Sequence, residues 1–302
     1  MLSFITWTAR PDLFILGNWE VRWYGLFFAI GFYLGLLMIT KMFKSENIKE
    51  SWADSLFIYV IIATIIGARL GHVFFYAWDY YSQHPWDIIK IWEGGLASHG
   101  GAIGIILAIW FYSKNVTKRN ILWTLDRLVI PTAFVAILIR TGNLMNHEIY
   151  GVPTDLPWGF RFIENVRHWQ HGADPVFSLP SHPTQIYEAL CYLATFILIF
   201  TLYWKKPKVK NQEGLLLGIF LIGVFFTRFM IEFVKEDQEA FEANMAINMG
   251  QWLSIPFVLA GIVLIVRALK RPPVSYQEEG TYQSTKAVEK DVKENLKSKS
   301  KK

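Results

Sequence analysis

Cysteine is almost missing from this chain. One residue, Cys191, stands among 302, so no internal disulfide can form, and its place inside an apolar run marks it as packing rather than nucleophile. Charge is scarce too. Only 18% of residues are charged, against about a quarter in an ordinary soluble domain, and much of that charge lies in one C-terminal tail. No glycine-rich nucleotide loop occurs, and nothing calls for a cofactor or a nucleic-acid partner. Histidines and carboxylates make no recognisable ligand set, so no metal site is expected. Neither a Gly-x-Ser-Gly setting nor paired membrane aspartates occur, which argues against an intramembrane protease. The N-terminus lacks the basic start, short apolar core and small-residue cleavage site of a cleavable signal peptide. No convincing internal repeat appears.

What the chain has in abundance is apolar sequence. Hydrophobic residues make up 53% and aromatics 16%, and mean hydropathy is positive. Apolar runs near 20 residues recur, the length that crosses about 30 Å of hydrocarbon; they are too many and too long for a soluble helical protein. Seven spans are predicted: Tyr24–Thr40, Leu56–Trp78, His99–Ser113, Ile121–Ile139, Thr184–Trp204, Leu215–Val234 and Trp252–Val266. Lysines and arginines concentrate in alternate connections, at Lys41, Lys44 and Lys49, then Lys114, Lys118 and Arg119, then Lys205 to Lys210, then Arg267 to Arg271. The excess marks the cytoplasmic side. The expectation is an all-α polytopic membrane protein of seven transmembrane helices, N-terminus outside and C-terminus inside. Residues 1–271 form the membrane domain, within which 142–183 make a small extracytoplasmic head. Residues 272–302 read as a disordered polar cytoplasmic tail.

Ionisable side chains at the bilayer centre cost roughly 3 kcal/mol or more, so they face a bundle interior and often a functional cavity. The predicted topology gathers many of them near the outer leaflet: Tyr24, Arg69, His72, His99, Arg140, Glu188, Arg228 and Glu232. The densest cluster is RTGNLMNHEIYG at 140–151, where Asn143, Asn146, His147, Glu148 and Gly151 follow Arg140. Arginine forks suit phosphate oxygens, and His99 can take a proton near neutrality. The combination fits a lipid-headgroup phosphate beside a titratable group. Plainer readings stand beside this one. Arg228 and Glu232, four apart, can neutralise each other on a helix face. Arg69 and His72 can be a structural tie, and His182 a helix cap. Asp126 and Arg127, at the inner end of the fourth span, read as structural. An anionic phospholipid transporter or flippase would use the same arginines, but it needs a path to both faces, whereas these groups cluster on one.

The 140–151 segment resembles the signature of the prolipoprotein diacylglyceryl transferase family: an arginine, then Gly-Asn, then Asn-x-Glu and a closing glycine. WYGL at 23–26, GARLGHVFFY at 67–76, EGGLASHGG at 93–101, SHPTQIYE at 181–188, TRFMIEF at 227–233 and MGQWLSIP at 249–256 resemble further family blocks in the same order. The resemblance implies a bacterial inner-membrane enzyme that moves the diacylglyceryl group of phosphatidylglycerol onto the lipobox cysteine thiol of a prolipoprotein. A thioether forms and glycerol 1-phosphate leaves. It implies that Arg140 binds the lipid phosphate, that Asn143, Asn146, Glu148 and Gly151 belong to the site, and that His99 is a candidate base. Tyr24 and Arg228 are implied as further functional positions, and Glu148 or Glu232 can orient an arginine or serve as the base instead of His99. His147 adds an imidazole that competes with His99 for the role of base, and His72 stands where an aromatic residue is usual. The resemblance does not cover the tail.

Overall fold

The computed structural model describes residues 4–16, 19–236, 247–276 and 282–284. Within them the chain is mostly helical. Two strands at the N-terminus, β1 (Ile5–Thr6) and β2 (Asp12–Leu16), precede β3 (Trp19–Arg22). Then come α1 (Trp23–Ser45), α2 (Glu50–Tyr76), the short α3 (Trp78–Tyr81), α4 (Ser98–Tyr112) and α5 (Ile121–Met145). β4 (Phe160–Arg161) and α6 (Val166–Gln170) occupy the connection to α7 (Thr184–Lys205). α8 (Leu215–Leu221), α9 (Thr227–Ile231), α10 (Met249–Lys270), β5 (Val274–Tyr276) and β6 (Tyr282–Ser284) complete the chain.

Six helical stretches are long and apolar enough to cross a membrane: α1, α2, α5, α7, the stretch Leu215–Val234 and α10. In none is half of the apolar window buried, as expected where the outer face meets lipid rather than protein. The predicted third span is different. α4 has 15 residues and runs directly into a five-residue π-helical turn, Ser113–Thr117. Its helix alone falls short of the hydrocarbon thickness.

The chain divides into two compact units, Met1–Gly35 with Leu128–Arg271, and Leu36–Arg127 with Pro272–Lys302. Helices α1 and α5 each run from one unit into the other.

In the second unit α2 and α4 are fused along glycine. Gly67 and Gly71 face Gly100 and Gly104; a Cβ on Gly67 would lie 2.5 Å from the Gly100 carbonyl oxygen, and one on Gly71 2.7 Å from the Gly100 Cα. Two small-xxx-small faces let backbones touch, the packing that works in lipid where no hydrophobic force drives helices together. Beside this seam runs an apolar groove of about 720 Å³ lined by residues such as Ile62, Leu70, Ile103 and Phe111. At the other end of the unit Arg127 is buried and paired with Glu46, with its guanidinium 4.0 Å from the Trp123 ring, so Arg127 is structural as expected. Arg119 stacks on Trp123 and on Tyr276. Tyr276 belongs to β5, which pairs antiparallel with β6. The stretch predicted as a disordered tail therefore contains a short pair of antiparallel strands, with the Tyr276 ring against Arg119; the remainder of that prediction lies outside the described residues.

In the first unit α8 and α10 cross at Gly218 and Gly261, each close to the other's carbonyl. Leu215–Val234 is not one continuous α-helix. A π-helical turn at Ile222–Phe226 and a 3₁₀ turn at Glu232–Val234 interrupt it. The 142–183 stretch is mostly irregular. β4 pairs in parallel with β1, and Phe160, Phe162 and Ile163 are buried beneath it.

Candidate active site

The site grows from the C-terminal end of α5. Arg140 lies in its last turns, and the helix stops after Met145. The Asn143 carbonyl accepts the Glu148 N–H at 3.1 Å, closing the turn, and His147 and Ile149 take left-handed φ values of 57° and 61°. That conformation is uncommon for any residue with a side chain and an outlier for a β-branched one such as Ile149, so the surrounding contacts must hold it. They are visible. Thr184 donates its hydroxyl to the Ile149 carbonyl at 2.8 Å, and Gln185 donates its amide to the Glu148 carbonyl at 2.7 Å. The first turn of α7 thus clasps the backbone of the signature loop.

Side chains within this loop form one chain of hydrogen bonds. Arg140 donates Nη1 to Asn143 Oδ1 at 3.2 Å. Asn143, itself buried, donates Nδ2 to Glu148 Oε1 at 2.8 Å. Asn146 donates to the same Glu148 oxygen at 3.1 Å. Asn143 is the joint: its amide can bond an arginine on one side and a carboxylate on the other, which neither Asp nor Leu can do. Tyr24, in the first turn of α1, rests on Gly142; a Cβ there would lie 2.6 Å from its ring. Tyr24 lies within electrostatic range of both Glu148 and Arg140.

Behind Arg140 stands a buried ionic set. Glu188 Oε2 meets Arg140 Nε at 2.6 Å. The other oxygen, Oε1, accepts from Lys235 Nζ at 3.0 Å, and Lys235 also reaches Glu232 Oε2 at 3.2 Å. The side chains of Glu188, Lys235 and Glu232 are 0%, 2% and 4% exposed, while Arg140 retains 14%. Charges this deep persist only when paired, and removing one partner from such a pair costs roughly 3–5 kcal/mol. Tyr192 adds a side-chain hydrogen bond to Arg140. Thr184, Glu188, Tyr192 and Thr195 fall four, four and three residues apart and are all buried, so one face of α7 serves the loop and the arginine together.

Several predicted residues land differently. Arg228 does not neutralise Glu232, because the helix changes to a 3₁₀ turn at that point and Glu232 turns to Lys235 instead. Arg228 is half-buried, with Tyr192 in electrostatic range. Gly151 is filled by packing: its N–H donates to the His182 carbonyl at 2.8 Å, it bridges to Lys235, and a side chain would strike the Val234 carbonyl. His182 does not cap α7; its Nδ1 faces the Tyr187 hydroxyl at 3.2 Å. His147 is spoken for. Its Nδ1 accepts the Ile163 N–H at 3.1 Å, so its Nε2 carries the proton and donates to the Ala9 carbonyl at 2.8 Å. Burial holds its pKa below the usual histidine value. Lys235, Gln185 and Tyr192 escaped the sequence reading. The four-residue spacing of Thr184, Glu188 and Tyr192 was the available signal for α7, and Lys235 three residues after Glu232 for the other.

His99 belongs to the second unit, exposed in the first turn of α4, with its ring 5.2 Å from Phe75 and 5.5 Å from Tyr76. Arg69, also there, is no phosphate ligand. It is buried, and it donates to five carbonyls: Ile88 at 2.8 Å, Gly94 at 2.5 Å, Gly95 at 3.2 Å, Asp87 at 2.7 Å and Lys90 at 3.1 Å. Its fork is consumed in folding the loop that follows α3. Gly95, at φ 73°, passes so close that a Cβ would lie 2.6 Å from the His72 ring. Arg69 thus ties its helix to that loop, as its structural reading expects, while His72 packs against Tyr76 and Tyr81.

Long apolar helices mark a polytopic membrane protein, and a buried arginine–carboxylate set lies beside the end of α5. The sequence profile of prolipoprotein diacylglyceryl transferase matches residues 11–267, and the chain belongs to that family. It is 53% identical over 277 residues to the phosphatidylglycerol–prolipoprotein diacylglyceryl transferase of Porphyromonas gingivalis, covering 89% of this chain and 96% of that one. Proteins of the same name from Chloroherpeton thalassium and Tolumonas auensis are each 46% identical. The matches span 89% and 87% of this chain, and 96% and 97% of theirs.

Proposed function

We propose that this chain transfers the diacylglyceryl group of phosphatidylglycerol to the lipobox cysteine thiol of prolipoproteins. The thiol loses its proton, the thiolate sulfur bonds to the glycerol carbon that carries the phosphate ester, and that carbon–oxygen bond breaks. Glycerol 1-phosphate departs with the electron pair. The observation that carries the reading is the fixed guanidinium of Arg140, pinned by Glu188 and Asn143 yet still partly exposed, in a chain of this family. Arginine has five donors, and those left over are set to meet phosphate oxygens. Donors already in place act on developing charge without reorganising, typically for a few kcal/mol each.

Arg140 is the principal phosphate ligand and Arg228, half-buried without an ion-pair partner among the described residues, the second. Asn143 and Asn146 hold Glu148 beside them, and Tyr24 closes the site from α1. The family resemblance offers His99 as the group that takes the thiol proton; His147 is not available for it, with both nitrogens committed to backbone. Glu232 stands behind the phosphate ligands, and Gly151 lets the loop pack against Val234. We place seven crossings in the bacterial inner membrane, counting α4 with its π-helical turn as the third. The N-terminus is then outside, the site faces the outer leaflet, and 142–183 form an extracytoplasmic head.

The test is transfer of radiolabelled glycerol from phosphatidylglycerol to a lipobox peptide in membranes carrying this protein, beside a peptide whose cysteine is replaced by serine. Label on the cysteine peptide alone, lost with Arg140→Ala in a protein that still inserts, is the expected result. No label with folded protein and both substrates present rejects the transferase reading and favours an anionic-lipid transporter. Wild-type rates in Arg140→Ala reject the assignment of the phosphate.

A further inference from the structure

Lys235 touches neither the lipid phosphate nor the thiol in the proposed transfer, yet it is the most deeply placed cation of the site. Its ammonium touches both Glu188 and Glu232 and is 2% exposed. Lysine is almost never buried so far unless its charge is needed by a partner, and here it has two. Both carboxylates act on Arg140: Glu188 directly, and Glu232 at longer range. Lys235 therefore shares the carboxylate that orients Arg140. Its backbone sits at the point where Val234 and Lys235 pair with Gly151 and Val152, at the end of the signature loop.

We infer that Lys235 is a positioning residue for phosphatidylglycerol binding, acting through Glu188 to keep Arg140 free for the lipid phosphate. The inference rests on the transferase reading. A carboxylate with no second cation beside it draws a guanidinium into a two-toothed pair. With Lys235 in place, Glu188 Oε1 is occupied and Arg140 meets Oε2 through Nε, which leaves the terminal nitrogens turned elsewhere. Lys235 also cancels Glu232, which would otherwise repel an incoming phosphate. Without Lys235 the set has two carboxylates behind one arginine, and the anionic lipid must compete for that arginine.

The experiment measures kcat and KM for phosphatidylglycerol, with a lipobox peptide in excess, on purified protein in mixed micelles, alongside thermal unfolding. Lys235→Met is expected to raise KM by roughly tenfold or more, with a smaller change in kcat. Lys235→Arg restores most of the loss. Lys235→Met combined with Glu232→Gln, which removes the stranded negative charge, recovers a large part of the KM. A residue that only supports the fold would give another result: Lys235→Met lowers the unfolding temperature while the folded fraction keeps a wild-type KM. That outcome overturns the inference, as does a double variant no better than the single one. If Lys235→Met does not insert, Lys235→Gln and Lys235→Arg carry the test: KM must be raised in the first and near wild type in the second. Wild-type protein runs in the same assay, so its failure to transfer would tell against the transferase reading and not against Lys235.

Discussion

Asn143 shows how much one side chain can hold. It joins Arg140 to Glu148 with one amide, accepting at 3.2 Å and donating at 2.8 Å. Asn143→Asp keeps the size but turns the donor into an acceptor, facing Glu148 with a second negative charge. Transfer is expected to fall roughly 100-fold, the scale at which small misplacements of catalytic groups register, with the protein still inserted; the labelled-glycerol assay reads it. Asn143→Asp at wild-type rate would mean that the chain from Arg140 to Glu148 is not used. His147 makes a different prediction. Folding holds it neutral, with its pKa below the ordinary 6.5 through burial, because a proton on Nδ1 would remove the acceptor for Ile163. The unfolded chain takes its proton at the ordinary value. The stability His147 contributes is thus fully present above about pH 6.5 and is lost as pH falls below it. Thermal unfolding at pH 7.5 and 5 should show a drop that His147→Asn, which tolerates left-handed φ and does not titrate, makes smaller. An equal drop in the variant would assign the acid sensitivity elsewhere.

Elements explain why glycines recur in the family-like blocks. Gly67, Gly71, Gly100 and Gly104 are the contact surface of two helices. Gly100→Leu is expected to separate α2 from α4 and cost at least the 1–3 kcal/mol typical of overpacking, seen as a lower unfolding temperature and lost protein in membranes. Gly25, whose Cβ would meet nothing within 4 Å, is the control: Gly25→Ala should be near neutral. At this scale the sequence was legible where one residue determines an element. Apolar runs marked the six long apolar stretches, with ends that differ by up to about six residues, and the cluster at 140–151 marked the end of α5. What stayed hidden depended on partners distant in sequence. Arg69 carries the same charge as Arg140, but five carbonyls between Asp87 and Gly95 consume it. Lys235 stayed hidden because nothing near it in sequence announces Glu188, 47 residues away. Arg228 and Glu232 looked like a helical pair because a 3₁₀ turn cannot be seen in TRFMIEF.

At the scale of the whole molecule, the sidedness of the chain depends on α4. Six crossings leave both termini on one side, and seven put them on opposite sides. The helix of α4 is 15 residues, short for the bilayer, but it contains no charged residue, and the π-helical turn that follows brings the chain to Lys118. Basic residues then fall at Lys114, Lys118 and Arg119, after α4 and before α5, matching the basic ends of α1, α7 and α10. If α4 did not cross, those three would share a side with the loop after α3, and the alternation of charge would fail at that one connection. The check is a pair of single cysteines in a Cys191→Ser background, Gln83→Cys ahead of α4 and Lys118→Cys after it. An impermeant thiol reagent on intact cells is expected to label position 83 and not 118, and to reach 118 only once the membrane is opened. Labelling of both without permeabilisation would make α4 a helix that enters and returns. The alternation of Lys and Arg would then have misplaced every element after it, including the outer-leaflet setting of Arg140.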